Sequence, residues 1–139
     1  MCAYKRKTWA EKLNIDRKPE IETIQKSFAD MKPGQKMLIP TPKLVDTYIQ
    51  QIPKGTHVDA TTIRKDLAVE HCADVTCPLT TGIFIRIVAE AAYEQYQQGT
   101  PLNKITPFWR VINEKSPTAK KLTFGKELLV EQQKKEGIA

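Results

Sequence analysis

Proline and glycine divide the middle of this chain into three helix-length segments. Thr41-Pro42 and Cys77-Pro78 suit helix starts, because the N–H that proline lacks has no partner at the first helical position. Asp59 suits a third start, since its carboxylate can accept a hydrogen bond from a free backbone N–H. Pro53-Lys54-Gly55 and Gly99 suit helix ends. The sequence therefore predicts three consecutive helices, the last and longest running to about residue 98.

Each predicted helix carries an apolar face. The apolar residues recur at spacings of three and four, as the 3.6-residue period of a helix requires. In the first two helices these positions are Leu44, Val45, Tyr48, Ile49, Ile52, Ile63, Leu67 and Ala68. In the third helix one apolar stripe consists of Leu79, Ile83, Ile87 and Ala91, and Phe84, Val88, Ala92 and Tyr96 lie beside it.

Gly82 lies inside the longest predicted helix. A glycine in a helix interior costs about 1 kcal/mol relative to alanine. A close approach of the backbone, either to another helix or to a ligand, would explain why that cost is accepted.

The first 36 residues are predicted to form a partly ordered basic extension with one short helix. The helix is indicated by apolar residues at near-helical spacing after Pro19, namely Ile21, Ile24, Phe28 and Met31. Lys32-Pro33-Gly34 would end it. The main domain is then expected over residues 37–139.

The last third of the chain changes in character. Trp109–Ile112 is typical of a short strand, residues 113–117 of a turn, and Lys121–Thr123 of a returning strand. A terminal helix is expected over residues 124–136. The predicted fold class is therefore mainly α with a small β-hairpin, arranged as a winged helix-turn-helix.

Composition indicates one soluble domain. The chain has 139 residues, of which 40% are hydrophobic and 27% charged, enough for a buried core. An apolar run of about 18 residues, as a membrane span requires, is absent from the sequence. Three scattered cysteines do not form a disulfide framework, and the basic N-terminus lacks the apolar stretch of a secretory signal. We expect a cytoplasmic protein with no membrane association.

Positive charge is concentrated at both ends of the sequence. Residues 1–36 carry nine basic and five acidic side chains, and residues 103–139 carry eight and four, whereas residues 37–102 carry five and seven. Basic flanks around a near-neutral centre are compatible with contacts to nucleic acid. They are equally compatible with a solvated, lysine-rich surface.

Three short motifs follow one another along most of the chain. They are Ile52-Pro53-Lys54-Gly55, Pro107–Val111, and Lys126–Leu129 followed by Glu136-Gly137. From about Met37 to Ile138, their order and spacing resemble the I-P-x-G, P-C-H-R-V and K-x-x-L-L…E-G motifs of the O6-alkylguanine-DNA alkyltransferase DNA-binding domain. The likeness extends to the alkyltransferase-like relatives that lack the active-site cysteine, including a bacterial branch of small proteins. The resemblance implies a winged helix-turn-helix that binds DNA.

The departures from the family motif bear on catalysis. In the enzymes a cysteine thiolate attacks the alkyl carbon, and a neighbouring histidine takes the thiol proton through water. Phe108 occupies the cysteine position here, and Trp109 occupies the histidine position. Neither ring can attack carbon or move a proton, so we expect no enzymatic activity. Leu79 occupies the position from which the family inserts an arginine into the base stack, and is either an apolar wedge or a packing residue.

Pro107, Phe108, Trp109 and Arg110 are interpreted as a degenerate active-site pocket. In one hypothesis the two aromatic rings line the pocket, which still receives a damaged or flipped base. In the other hypothesis they fill it, so that no base enters. Arg110, which matches the motif arginine, is expected to be structural.

Other chemistry finds less support in the sequence. Cys77 at a helix start is a candidate for a residual nucleophile, although such a cysteine is more often a small packed residue. A zinc site is an alternative use of His57, His71, Cys72 and Cys77, although the adjacent pair would be strained as ligands. We find no phosphate-binding loop and no Ser-His-Asp set, so no catalytic residue, metal or cofactor is predicted.

Double-stranded DNA is the partner we expect. The start of the longest helix offers hydroxyl groups and a thin glycine surface, and nearby cations can neutralise phosphates. The predicted DNA-binding residues are Thr80, Thr81, Gly82, Arg86, Arg64, Lys65 and Lys104. The alternative is a protein-interaction module that reuses the winged-helix fold and meets a protein partner through the N-terminal arm and the Phe108/Trp109 surface.

Overall fold

The computed structural model describes residues 8–27 and 31–138. In chain order the helices are α1 (Trp9–Leu13), α2 (Pro42–Gln50), α3 (Ala60–Glu70), α4 (Pro78–Gln97), α5 (Pro117–Lys121) and α6 (Glu127–Glu136). The strands are β1 (Glu20–Thr23), β2 (Lys36–Ile39) and β3 (Val75–Thr76). Two short 3₁₀ helices, Leu102–Lys104 and Phe108–Arg110, follow α4. The fold is mainly helical with a small sheet, as the sequence predicts.

The three central helices begin where the sequence indicates. Thr41 caps α2, its hydroxyl accepting from the Leu44 N–H at 3.2 Å, and Asp59 caps α3, its carboxylate accepting from the Thr62 N–H at 2.8 Å. Pro42 and Pro78 lie at the first turns of α2 and α4. These predicted starts are confirmed. A side-chain cap begins α2 and α3, whereas α4 begins at its proline without a side-chain cap hydrogen bond.

The predicted helix over residues 19–31 is wrong in the described part. Glu20–Thr23 is strand β1, which pairs antiparallel with β2 from Glu20 opposite Ile39 to Thr23 opposite Lys36. β2 also pairs in parallel with β3, so β2 is the central strand of the sheet. Pairing with distant residues overrides a short apolar pattern that fits either structure. Phe28, the third apolar residue of that pattern, lies outside the described residues, as do residues 1–7.

The predicted β-hairpin after α4 is also wrong. Phe108–Arg110 is a 3₁₀ helix, and residues 117–121 form α5. Ser116 caps α5 by accepting from the Ala119 N–H at 3.2 Å, and Pro117 takes the first turn, so the segment begins a helix and not a returning strand. Phe108, Trp109, Val111 and Ile112 are all buried, without the alternation of a strand.

The core lies between α4 and the elements packed around it. Val45 and Ile49 of α2, Ile63 and Leu67 of α3, and Leu129 of α6 are completely buried. The apolar face that α4 turns toward them is Ile85, Val88, Ala89, Ala91 and Ala92. Within the described ranges no helix is both long and apolar enough to cross a lipid bilayer.

Candidate nucleic-acid interface

The side of α4 that faces away from the core forms the floor of a groove, which we call the α4 groove. The first two residues of one predicted apolar stripe lie on this side, since Leu79 is 62% and Ile83 is 49% exposed. The groove has a volume of about 370 Å³ and runs between α1 and α5. Its lining residues are Trp9, Lys12, Pro78, Leu79, Gly82, Ile83, Arg86, Ile87, Pro117, Thr118 and Lys121.

Gly82 lies in the floor of the α4 groove and packs against nothing. A Cβ atom added there would meet no atom of the described residues within 4 Å. Close packing of another helix is therefore not the reason for a glycine at this position. Of the two explanations that the sequence offers, packing against another described helix is therefore the one that the structure does not support.

Arg86 is a predicted DNA-binding residue whose side chain does line the α4 groove. Its guanidinium lines the groove, 5.2 Å from the centre of the Trp9 ring. Its Nη2 lies 3.7 Å from Glu90 Oε2, a long ion pair. Glu90 is engaged elsewhere, because it accepts from the Thr123 hydroxyl at 2.6 Å. Arg86 therefore keeps donors for a further acceptor.

The two threonines at the start of α4 are less available than the sequence suggests. Thr81 is completely buried, and its hydroxyl donates to the Cys77 carbonyl at 2.7 Å. Thr81 therefore cannot contact DNA, and this prediction is wrong. Thr80 is half-buried, with its hydroxyl 3.5 Å from the same carbonyl, and it lines a second hollow toward Arg17 and Lys18. A hydroxyl that bonds back to its own helix is a common arrangement in helices.

The remaining predicted DNA-binding residues lie outside the α4 groove. The Nε of Arg64 donates to the Thr76 carbonyl at 2.9 Å, and the Thr76 hydroxyl donates to the Arg64 carbonyl at 2.7 Å, which ties α3 to β3. Lys65 is exposed on α3. Lys104 is exposed on the first 3₁₀ helix, in a hollow that it shares with Pro107 and Arg110. The structure does not bring these three cations together with Arg86.

The two aromatic residues of the degenerate pocket belong to the core. Phe108 is completely buried and Trp109 is 3% exposed, which favours the hypothesis of a filled pocket at Phe108. Beside it, Pro107, Trp109 and Arg110 line a hollow of about 360 Å³. Phe108 packs edge-to-face on Trp109 and on Phe124, with ring centres 5.3 and 5.6 Å apart. Phe124 stacks on Tyr93 at 4.1 Å. The rings of Phe108, Phe124 and Tyr93 thus form one continuous aromatic cluster.

Glu136 joins the three motifs on which the resemblance rests. Its carboxylate accepts from the Trp109 indole at 2.6 Å, from two Arg110 nitrogens at 2.9 Å and from the Gly55 N–H at 3.0 Å. Arg110 also donates to the Ile52 carbonyl at 2.7 Å. Burial raises the pKa of Glu136, but the Arg110, Gly55 and Trp109 hydrogen bonds and the Arg110 charge outweigh it and lower the pKa to about 2. The sequence analysis did not predict the contact between Arg110 and Glu136, although both residues belong to the motifs.

The cysteine and histidine candidates do not form a site. Cys77 is buried and Cys72 is exposed, and the Nδ1 of His71 lies 3.0 Å from the Leu67 carbonyl at the end of α3. Among the residues that the structure describes, no three of the histidine, cysteine, aspartate and glutamate side chains are grouped to hold a metal ion. The zinc alternative therefore has no geometry to support it.

Comparison of the chain with protein-family models, with curated proteins and with solved structures found no match. The function of the α4 groove is therefore argued from its own residues.

Proposed function

We propose that this protein binds double-stranded DNA through the α4 groove and leaves the DNA chemically unchanged. Gly82 carries the proposal. It weakens the longest helix by about 1 kcal/mol, and the space over it is open. A phosphate backbone or a base edge can approach such a surface more closely than any side chain would allow.

The charges around the groove support a polyanion as the ligand. Lys12, Arg86 and Lys121 line it. Arg17 and Lys18 line the adjoining hollow, which shares Lys12 with the groove. The chain as a whole carries a net charge of +6. Cations gathered on one surface are the usual means by which proteins bind the DNA backbone without regard to sequence.

The meeting of the three motifs at Glu136 supports descent from the alkyltransferase DNA-binding domain. Ile52 and Gly55 precede α3, Trp109 and Arg110 follow α4, and Glu136 ends α6. Residues of all three motifs, although far apart in sequence, thus belong to one hydrogen-bond network around Glu136. In this proposal α3 and α4 are the helix-turn-helix pair. The predicted wing is not part of it, because residues 117–121 are helical.

We also propose that the protein has no alkyl-transfer activity, on the basis of the Pro107–Val111 motif. Phe108 and Trp109 stand at the positions of the nucleophile and the proton acceptor, and both are buried. Cys77 is also buried, below the first turn of α4. A flipped base has no space at Phe108, so we place DNA recognition in the α4 groove alone.

Fluorescence anisotropy with a labelled duplex at low and moderate salt tests the proposal. We expect binding that weakens steeply with salt, with a Kd on the order of 10⁻⁴–10⁻⁶ M at physiological salt. Lack of binding at low salt would refute it. Mass spectrometry after incubation with alkylated DNA should show no added mass on the protein.

A protein partner is the second candidate, favoured by the exposure of Leu79 and Ile83 one turn apart in the same groove. Apolar contacts depend little on salt, whereas phosphate contacts depend on it strongly. Pull-down with and without nuclease separates the two, because nuclease removes only a signal that DNA carries.

A further inference from the structure

Two cations share one aromatic ring in the wall of the α4 groove. Lys12 Nζ lies 4.2 Å from the centre of the Trp9 ring, and Arg86 Cζ lies 5.2 Å from it. The face of an indole attracts cations, so Trp9 favours the placement of each of these side chains beside it.

Among the described residues, one nearby carboxylate pairs with Arg86 at long distance and none forms an ion pair with Lys12. Glu94 accepts from the Trp9 and Ala10 N–H groups at 3.3 and 3.4 Å, which fixes the start of α1 on α4. Glu90 accepts from the Thr123 N–H and hydroxyl. Both acids are thus used in joining elements of the fold, and only Glu90 reaches Arg86, at 3.7 Å.

Arg86 has a buried donor that the protein does not use. Its Nε is shielded from solvent and has no hydrogen-bond partner in the described part of the chain. Within that same part, neither Lys12 nor Lys121 across the groove takes part in an ion pair. A guanidinium presents its donors as a planar fork that matches two oxygens of a phosphate.

We propose that the α4 groove binds a phosphate group of the DNA backbone between Arg86, Lys12 and Lys121, with Trp9 positioning the first two cations. The inference deepens the proposed function and rests on it for the identity of the phosphate carrier. In this proposal α1 forms one wall of the binding site, since Trp9 and Lys12 both belong to that helix. The oxygens of the phosphate accept from the guanidinium N–H groups of Arg86 that line the groove, and Gly82 leaves room for them on the floor.

The two tryptophans give a direct spectroscopic test. Trp9 lines the groove, whereas the Trp109 indole is bound to Glu136 on another side of the fold and acts as an internal control. In ¹H–¹⁵N spectra, inorganic tripolyphosphate and a short duplex should each shift the Trp9 indole signal and leave that of Trp109 in place. A Trp9→Phe variant assigns the signals.

Salt dependence tests the individual cations. Lys12→Gln and Arg86→Gln should each reduce the slope of log K against log salt for duplex binding by about 0.9, the value of one phosphate contact. Arg86→Lys keeps the charge but not the fork, so it should keep most of the slope and lose affinity. Lys134→Gln on α6 is the matched control and should change neither quantity, because Lys134 lies outside the groove.

The outcomes separate the two proposals. Duplex binding with slopes unchanged by Lys12→Gln and Arg86→Gln overturns the phosphate site and leaves the proposed function standing. A Trp9 shift with tripolyphosphate that Arg86→Gln abolishes, in the absence of duplex binding, supports the phosphate site and refutes DNA as its carrier. No Trp9 shift with either probe overturns the site.

Discussion

The Glu136 site and the α4 groove differ in how completely their polar groups are partnered. At Glu136 one carboxylate accepts four hydrogen bonds and ties together three distant parts of the chain. In the groove an arginine Nε has no partner among the described residues, and Leu79 and Ile83 are exposed. Stability explains the first arrangement, and we attribute the second to a ligand, since unsatisfied groups and local weaknesses concentrate at functional sites.

The comparison also bears on the descent that we propose. The positions that the resemblance assigns to the nucleophile and the histidine are occupied by rings that belong to the core. The helix that the resemblance assigns to DNA remains exposed at its first turns. In our account the chain lost the reactive group and kept the surface that binds DNA.

Phe108→Ala is the change with the largest expected effect. Truncating a completely buried phenylalanine removes its packing on Trp109 and Phe124 and leaves a cavity. We expect the free energy of unfolding to fall by about 4 kcal/mol in urea titrations. The folded variant should bind duplex as the wild type does, because Phe108 does not line the groove. A loss below about 1 kcal/mol would show that Phe108 is not a core residue.

Glu136→Gln should be the next most destabilising change. It leaves the largely buried Arg110 without its charge partner, which costs about 3 kcal/mol of unfolding free energy. Glu131→Gln on the same helix is the matched control, since its ion pair with Lys135 is exposed on both sides and contributes at most about 1 kcal/mol. Equal losses in the two variants would contradict the special role of the Glu136 site.

The same carboxylate predicts a pH dependence. The folded pKa of Glu136 is lowered to about 2 from 4.5, so its stabilising effect is complete above pH 4.5 and is lost as the pH falls toward 2. Burial raises the pKa of Asp46, which opposes this trend, but Asp46 is common to wild type and variant. The stability difference between wild type and Glu136→Gln should therefore shrink over this range. A difference that stays constant down to pH 2 would be inconsistent with the lowered pKa.

The sequence predicts those parts of the fold that local chemistry decides. The starts of α2, α3 and α4 follow from Thr41, Asp59 and two prolines, all within a few residues of the helices they begin. The start of α5 could have been predicted in the same way, because Ser116-Pro117 repeats the pattern of Thr41-Pro42. The predicted hairpin instead assigned residues 113–117 to a turn.

Contacts between distant residues decide the rest. β1 is a strand because β2 lies beside it, and its own four residues are all exposed. α4 offers more than one apolar stripe, and packing against α2 and α3 buries Ile85, Val88 and Ala89 and leaves Leu79 outside. The Gly55–Glu136 hydrogen bond spans 81 residues. Periodicity holds no information about such pairs.

Gly82→Ala has the smallest expected effect on stability and tests the central claim most directly. Alanine should raise the free energy of unfolding by up to about 1 kcal/mol, because it favours the helix and meets no neighbouring atom. In the same protein the new methyl group narrows the groove floor, so duplex binding measured by anisotropy should weaken. Greater stability with lower affinity is the result that our account predicts. Greater stability with unchanged affinity would show that DNA does not bind in the α4 groove.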